Sequence, residues 1–282
     1  MKRSLLLGAP MLALILAACS DSTAPGITVD DINQAAVISA SDATAEDVAI
    51  LSASDMTMSG GAVQNVVGGS LMLSRIPAAS VPSYSWTFGG GCTFSANTGR
   101  FTCPAIIAGG LTLNRDYAFL DANQTAQSAY DAATTASANF HVSVTGTHTA
   151  DTGEDVVNRD RNLTVSGLAG AETFRIWNGT GTRNDHGSRT IGDVTRSYET
   201  NDAVTVSSVQ VNLPRSSNPW PVSGTITRHI TGTASVTKNG LTKSFSVDRT
   251  ATITFDGTQN AAVTVNGVAY TLDLSTGVAT KA

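Results

Sequence analysis

The sequence predicts an all-β protein, and three observations carry that prediction. Threonine is abundant, at 38 of 282 residues; apolar residues recur in strict alternation; and two Asn-Gly pairs separate alternating segments. β-Branched residues suit a pleated surface, and a period of two turns one face of a strand toward a core. Asn-Gly supplies the left-handed backbone that a two-residue hairpin turn needs. The expected architecture is an antiparallel meander, forming a twisted sheet or a partly closed barrel or sandwich, preceded by a short helical segment.

In chain order, three regions are expected: residues 1–18, 19–29 and 30–282. The start Met1-Lys2-Arg3 is basic, and an apolar run from Leu5 to Ala18 follows, interrupted by Gly8 and Pro10. That run is short for a membrane span, which needs roughly 20 apolar residues. A basic start, a short apolar stretch and small residues at its end have the layout of a secretory signal peptide. The stretch ends Leu16-Ala17-Ala18-Cys19, which resembles the lipobox of bacterial lipoproteins. The resemblance implies a diacylglycerol thioether on Cys19, cleavage before it, and a membrane as partner through that lipid. In many Gram-negative lipoproteins an aspartate directly after the cysteine retains the protein in the inner membrane. Here Ser20 holds that place, so the outer membrane is favoured. Residues 20–29 are small and polar with one proline and read as a flexible tether.

Residues 30–54 are the one region with helical character. Ala35, Val37, Ala45, Val48, Ala49 and Leu51 mix there with acidic residues, and Thr44 with Asp47 forms a partial capping box. Gly60-Gly61 and Gly68-Gly69 then punctuate a loop-rich transition, and a first strand is expected at Ser83–Phe88. With Cys19 lipidated, Cys92 and Cys103 remain, an even number suited to one disulfide in an oxidising compartment. A turn at Asn97-Thr98 sets Phe94 against Phe101 and Cys92 against Cys103, close enough for that bond.

A strand follows at Leu111–Asp121. Residues 113–138 hold alanines that suggest a helix, yet Asp121-Ala122-Asn123 looks like a turn, and strand–turn–strand is favoured. Alternation is clear at Phe140, Val142 and Val144, at Leu163 and Val165, and at Phe174 and Ile176. Val204 and Val206 alternate, while Val209, Val211 and Leu213 continue out of phase. One extra residue near Ser207-Ser208, a β-bulge, would correct the phase. A turn centred on Asn239-Gly240 sets Ala234 against Phe245, Gly232 against Val247 and Ile226 against Ile253. A second at Asn266-Gly267 sets Val263 against Tyr270, and the meander is expected to finish at Leu272–Leu274. The segments RNLTVSGLAG, WPVSGTIT and VNGVAYTLDL resemble those of uncharacterised β-rich bacterial lipoproteins, a likeness that transfers no functional residues.

The formal charge is −5, and loss of Lys2 and Arg3 with the leader makes the mature chain more acidic. Only four of the 17 basic residues are lysine. Such a chain is a poor candidate for nucleic acid or anionic lipid surfaces. It contains no Gly-x-Ser-x-Gly elbow, phosphate loop, His-Glu-x-x-His or dinucleotide fingerprint, so neither catalysis nor a cofactor is expected. The histidines, His141, His148, His186 and His229, read as surface residues and not as metal ligands. Asp151–Asp155 and Asn184–Gly187 raise the thought of calcium but read as polar turns.

Arg228 and Arg249 are the candidate binding residues. The Asn239-Gly240 register places them diagonally on the more apolar face of one hairpin, within reach of a shared anion. The alternatives are exposed heads, or pairing with carboxylates such as Glu199. The expected function is a lipid-anchored cell-envelope protein with a non-catalytic structural or binding role. The alternative is a carrier of lipid or another hydrophobic or anionic ligand in a curved-sheet cavity.

Overall fold

The computed structural model describes residues 91–282 except Arg215, together with Asn33, Ala36, Ala40 and Thr44. The expected signal peptide, Cys19, the tether, the paired glycines and the strand at 83–88 lie outside the described residues.

Strands dominate, as the alternation predicts. Five short-to-medium strands come first: β1 (Thr93–Ser95), β2 (Arg100–Thr102), β3 (Ile106–Ala108), β4 (Leu111–Asp121) and β5 (Ala126–Gln127). Six long ones follow: β6 (Thr135–Ala150), β7 (Gly153–Ser166), β8 (Phe174–Ile191), β9 (Val194–Asn212), β10 (Ser223–Lys238) and β11 (Leu241–Thr254). The chain ends with β12 (Asn260–Val265), β13 (Val268–Asp273) and β14 (Val278–Lys281). All lie in one antiparallel sheet, and from β6 onward every strand pairs with the next in sequence. The sheet is open, because β1 and β14 end the path without pairing to each other. One edge of β4 is covered piecewise by β3, β2 and β5, and the other by β6.

Local chemistry sets the registers. Phe94 pairs with Phe101, and Cys92 and Cys103 are joined by a disulfide, as the hairpin reading requires. Asn239 and Gly240 have φ of 51° and 75°, and Asn266 and Gly267 have 45° and 85°, the left-handed pairs of type I′ turns. Ala234 meets Phe245, Gly232 meets Val247 and Val263 meets Tyr270. Ser208 has φ 49°, and the pairing of β9 shifts beside it on both sides, which is the expected bulge. It keeps Val204, Val206, Val209 and Val211 all on the buried face.

Residues 113–138 contain no helix: β4 runs to Asp121, whose carboxylate accepts from the amides of Asn123 and Thr125 to form the turn. Two expectations are corrected. At the start of β8 the buried side chains are Arg175 and Trp177, while Phe174 is 39% exposed. Register explains this, since Arg175 and Trp177 pair with Val211 and Val209 on the post-bulge face of β9. The meander also does not finish at Leu274, because β14 adds a further pairing along β13.

The core lies on one face of the sheet. It runs from Tyr117, Phe119 and Phe140 through Leu163 and Trp177 to Ile226, Ile253, Val263 and Leu272. Stacked and tilted rings link Phe101, Tyr117, Phe140 and Trp177. The four described helical positions, spaced by three or four residues, are at most 3% exposed. Ala36 and Ala40 belong to the same core, and Asn33 Oδ1 accepts from Arg249 Nε at 2.7 Å. These four positions therefore pack on the buried face, and the rest of the segment where a helix was expected lies outside the described residues.

Candidate functional site

The two faces of β7–β11 differ in charge. Alternation carries Arg159 and Arg161 of β7 inward beside Val157 and Leu163, and Arg175, Arg183 and Arg189 of β8 inward with Trp177. Arg196 of β9, Arg228 of β10 and Arg249 of β11 face the same side. Eight guanidinium groups thus share the inner face with three strand carboxylates, Asp155, Asp185 and Asp202. The outer face of the same strands carries Glu154, Asp160, Glu199 and Asp248 and no arginine.

Buried charge must be paired and hydrogen-bonded. Arg159 donates to Asp185 Oδ2 from Nε at 3.0 Å and Nη2 at 2.6 Å, and Arg183 Nε donates to the same oxygen at 2.6 Å. Burial alone would push the Asp185 carboxyl up, but Arg183 and Arg159 outweigh it and hold it below the usual range. Arg161 Nη1 donates to the carbonyls of Asp160 and Thr182. Tyr198 lies across Gly187 and donates to Asp155 Oδ1 at 2.9 Å. A Cβ on Gly187 would stand 2.3 Å from that oxygen and 2.9 Å from Tyr198 Cε1, so only glycine fits beneath the ring. Burial raises the Asp155 carboxyl, and burial followed by the charge of Asp155 raises the Tyr198 phenol.

Arg228 and Arg249 occupy the expected register, opposite Ala251 and Ile230. Each has protein partners of its own. Arg228 is fully buried and its Nη1 donates to Asp202, a carboxylate of the neighbouring β9. Arg249 is half-buried and bonds Asn33 and its neighbour's carbonyl, that of Asp248. Glu199, considered as their partner, is exposed on the opposite face. Asp202 shares the phase of Val204 and Val206, a signal present in the sequence. The inward arginines of β7 carry a similar signal, since Arg159 and Arg161 alternate in phase with Val157 and Leu163.

The outer face is built from hydroxyls and amides in register. One cross-strand row reads Asn162, Thr180, Thr205, Thr227, Thr252 and Thr264. Another reads Glu154, Ser188, Ser197, Ser235 and Ser244. Beside the second row lies an open groove of about 700 Å³, lined by Glu154, Asn184, His186, Glu199 and Thr233 among others. The two segments considered for calcium meet at this groove, but alternation splits each between the faces. Glu154 points outward and Asp155 inward; Asn184 and His186 point outward and Asp185 inward. Among the described residues no three metal-ligating side chains converge.

His141 also lies outward. Its Nδ1 meets Asp116 and its Nε2 meets Asp160, each at 2.7 Å, and Asp116 also binds Arg100 Nε. Burial lowers the imidazole pKa, but hydrogen bonds to Asp116 and Asp160 reverse this and leave it raised. Both ring nitrogens are occupied by carboxylates, so the ring is placed to hold strands together and not to accept a proton from a nucleophile. His229 is exposed beside Asp248 at 2.9 Å. Compared with family models, curated proteins and solved structures, the chain has no match.

Proposed function

We propose that the protein is a bacterial lipoprotein of the cell envelope, cut before Cys19, anchored by lipid there, and acting as a non-catalytic structural or binding scaffold. The observation that carries this is Leu16-Ala17-Ala18-Cys19 at the end of a short apolar leader. The disulfide between the two remaining cysteines agrees with an exported, oxidising location. The packed inner face supports a scaffold over a carrier. Phe140, Leu163, Trp177, Ile226 and Ile253 are at most 1% exposed, so these side chains already have their apolar contacts. Ser20 after the cysteine favours the outer membrane in a Gram-negative host. The binding surface is the hydroxyl- and amide-rich outer face with its groove.

Metabolic labelling with a fatty acid tests the anchor. The wild-type chain is expected to take up label, and Cys19→Ala to take up none. Label retained by Cys19→Ala would overturn the proposal.

A further inference from the structure

The long strands end in hairpin tips that project past their neighbours. β11 begins at Leu241, but its pairing with β12 begins only at Ala251, so the first ten residues of β11 extend beyond β12. At this end the last cross-strand row reads Ile191, Val194, Lys238 and Leu241. Ile191 is 51% exposed and Leu241 is 78% exposed. Single exposed aliphatic side chains are ordinary, but here two share one row at the tips of two adjacent hairpins.

Cations flank Leu241, while the turn beside Ile191 carries one carboxylate, Asp193. Lys238 and Lys243 flank Leu241 in the tip Lys238-Asn239-Gly240-Leu241-Thr242-Lys243, which has no acidic residue. They are two of only four lysines in the chain. Both tips are braced one row back by paired hydroxyls, Thr190 with Thr195 at 3.0 Å and Thr237 with Thr242 at 2.8 Å. The hairpin ends that carry the apolar side chains are thus closed by side-chain as well as backbone bonds.

We propose that these tips dock on the surface of an anionic phospholipid bilayer. Ile191 and Leu241 would enter the boundary between headgroups and acyl chains, with Lys238 and Lys243 against the phosphates. Exposed aliphatic residues ringed by basic ones suit that boundary, where apolar burial and attraction to anionic lipid add. Net acidity argues against anionic lipid for the chain as a whole, but two of its four lysines, Lys238 and Lys243, stand together at this one end. The inference goes beyond the lipid anchor, because it concerns a second contact made by the folded domain itself.

The test uses the mature chain without its lipidated cysteine, residues 20–282, which carries neither the apolar leader nor a lipid. Flotation with phosphatidylcholine vesicles, with and without phosphatidylglycerol, reads binding. The chain should float with the anionic vesicles, and added salt should weaken binding. Adding Ile191→Asp and Leu241→Asp should weaken it at least about tenfold. Lys238→Glu with Lys243→Glu should remove the preference for anionic vesicles. Ile107→Asp, at a residue 74% exposed on β3, should leave binding unchanged. Unchanged urea midpoints for these exposed substitutions would show that the fold survives. No flotation of the parent, equal loss with Ile107→Asp, or a preference that survives the lysine changes would each overturn the proposal. A negative result leaves the Cys19 anchor standing, since fatty-acid labelling alone reads that.

Discussion

Asp185 is the residue whose loss should hurt most per atom changed. Asp185→Asn keeps the shape of the side chain and removes its charge. The site is 1% exposed, and three charge-assisted bonds from Arg159 and Arg183 converge there at 2.6–3.0 Å. An amide offers one acceptor where two oxygens stood and turns its NH₂ toward a guanidinium. Breaking a buried pair on one side costs about 3–5 kcal/mol, against a total stability of about 5–15 kcal/mol for a domain. With a urea slope of about 2 kcal/mol per molar, the midpoint should fall by about 2 M. Tryptophan fluorescence can follow this, because Trp177 is fully buried in the same face. The acid limb should change as well. The Asp185 pKa is depressed on folding, so its contribution is present above its unfolded pKa near 3.9 and is lost as pH falls through the lower folded value. Asp185→Asn should flatten that limb. A midpoint within experimental error of wild type, with an unchanged acid limb, would refute the reasoning.

Other outcomes follow from the same structure. Replacing Cys92 and Cys103 with Ser should cost about 2–3 kcal/mol in urea unfolding, because the bond closes a short loop, and peptide mapping without reductant should find the two linked. Gly187→Ala should destabilise by about 1–3 kcal/mol by forcing Tyr198 off Asp155, and loss of protection at the Tyr198 amide in hydrogen exchange would locate the damage. The His141 pKa is raised on folding, so its stabilisation is full below the unfolded pKa near 6.5 and is lost as pH rises through the folded value. His141→Gln should therefore remove a decline in stability that begins above about pH 6.5, and an identical decline in the variant would count against the two-carboxylate contact.

Turn chemistry and period-two alternation are short-range, and where they governed the fold the sequence was readable. Asn239-Gly240, Asn266-Gly267, the cysteine hairpin and the bulge at Ser207-Ser208 were all legible because each register is set within a few residues. β8 was not, because residues 178–190 are glycine, threonine, asparagine and charged groups without an apolar phase. Its facing is decided by β7 and β9, which is a long-range effect. Phe174 and Ile176 suggested one phase, and Val209 and Val211 across the strand imposed the other. The groove shows the same limit. Its residues come from strands β7 to β11, and only the stacking of registers brings Glu154, His186 and Glu199 together. The inner arginines were visible in principle, but an arginine in phase with valines reads as an anomaly until a carboxylate such as Asp202 is found beside it.

The pairing order also bears on how such a chain comes to be folded. From β6 onward each strand finds its partner in the strand made just before or just after it. Contacts between sequence neighbours need only small loops to close, and loop closure is the entropic toll that slows most β proteins. A chain emerging from its N-terminal end can add one hairpin at a time to an edge that is already formed. No strand among β6–β14 has to wait for a distant segment to find its sheet partner, which shortens the time that an apolar edge stands open to a neighbouring molecule.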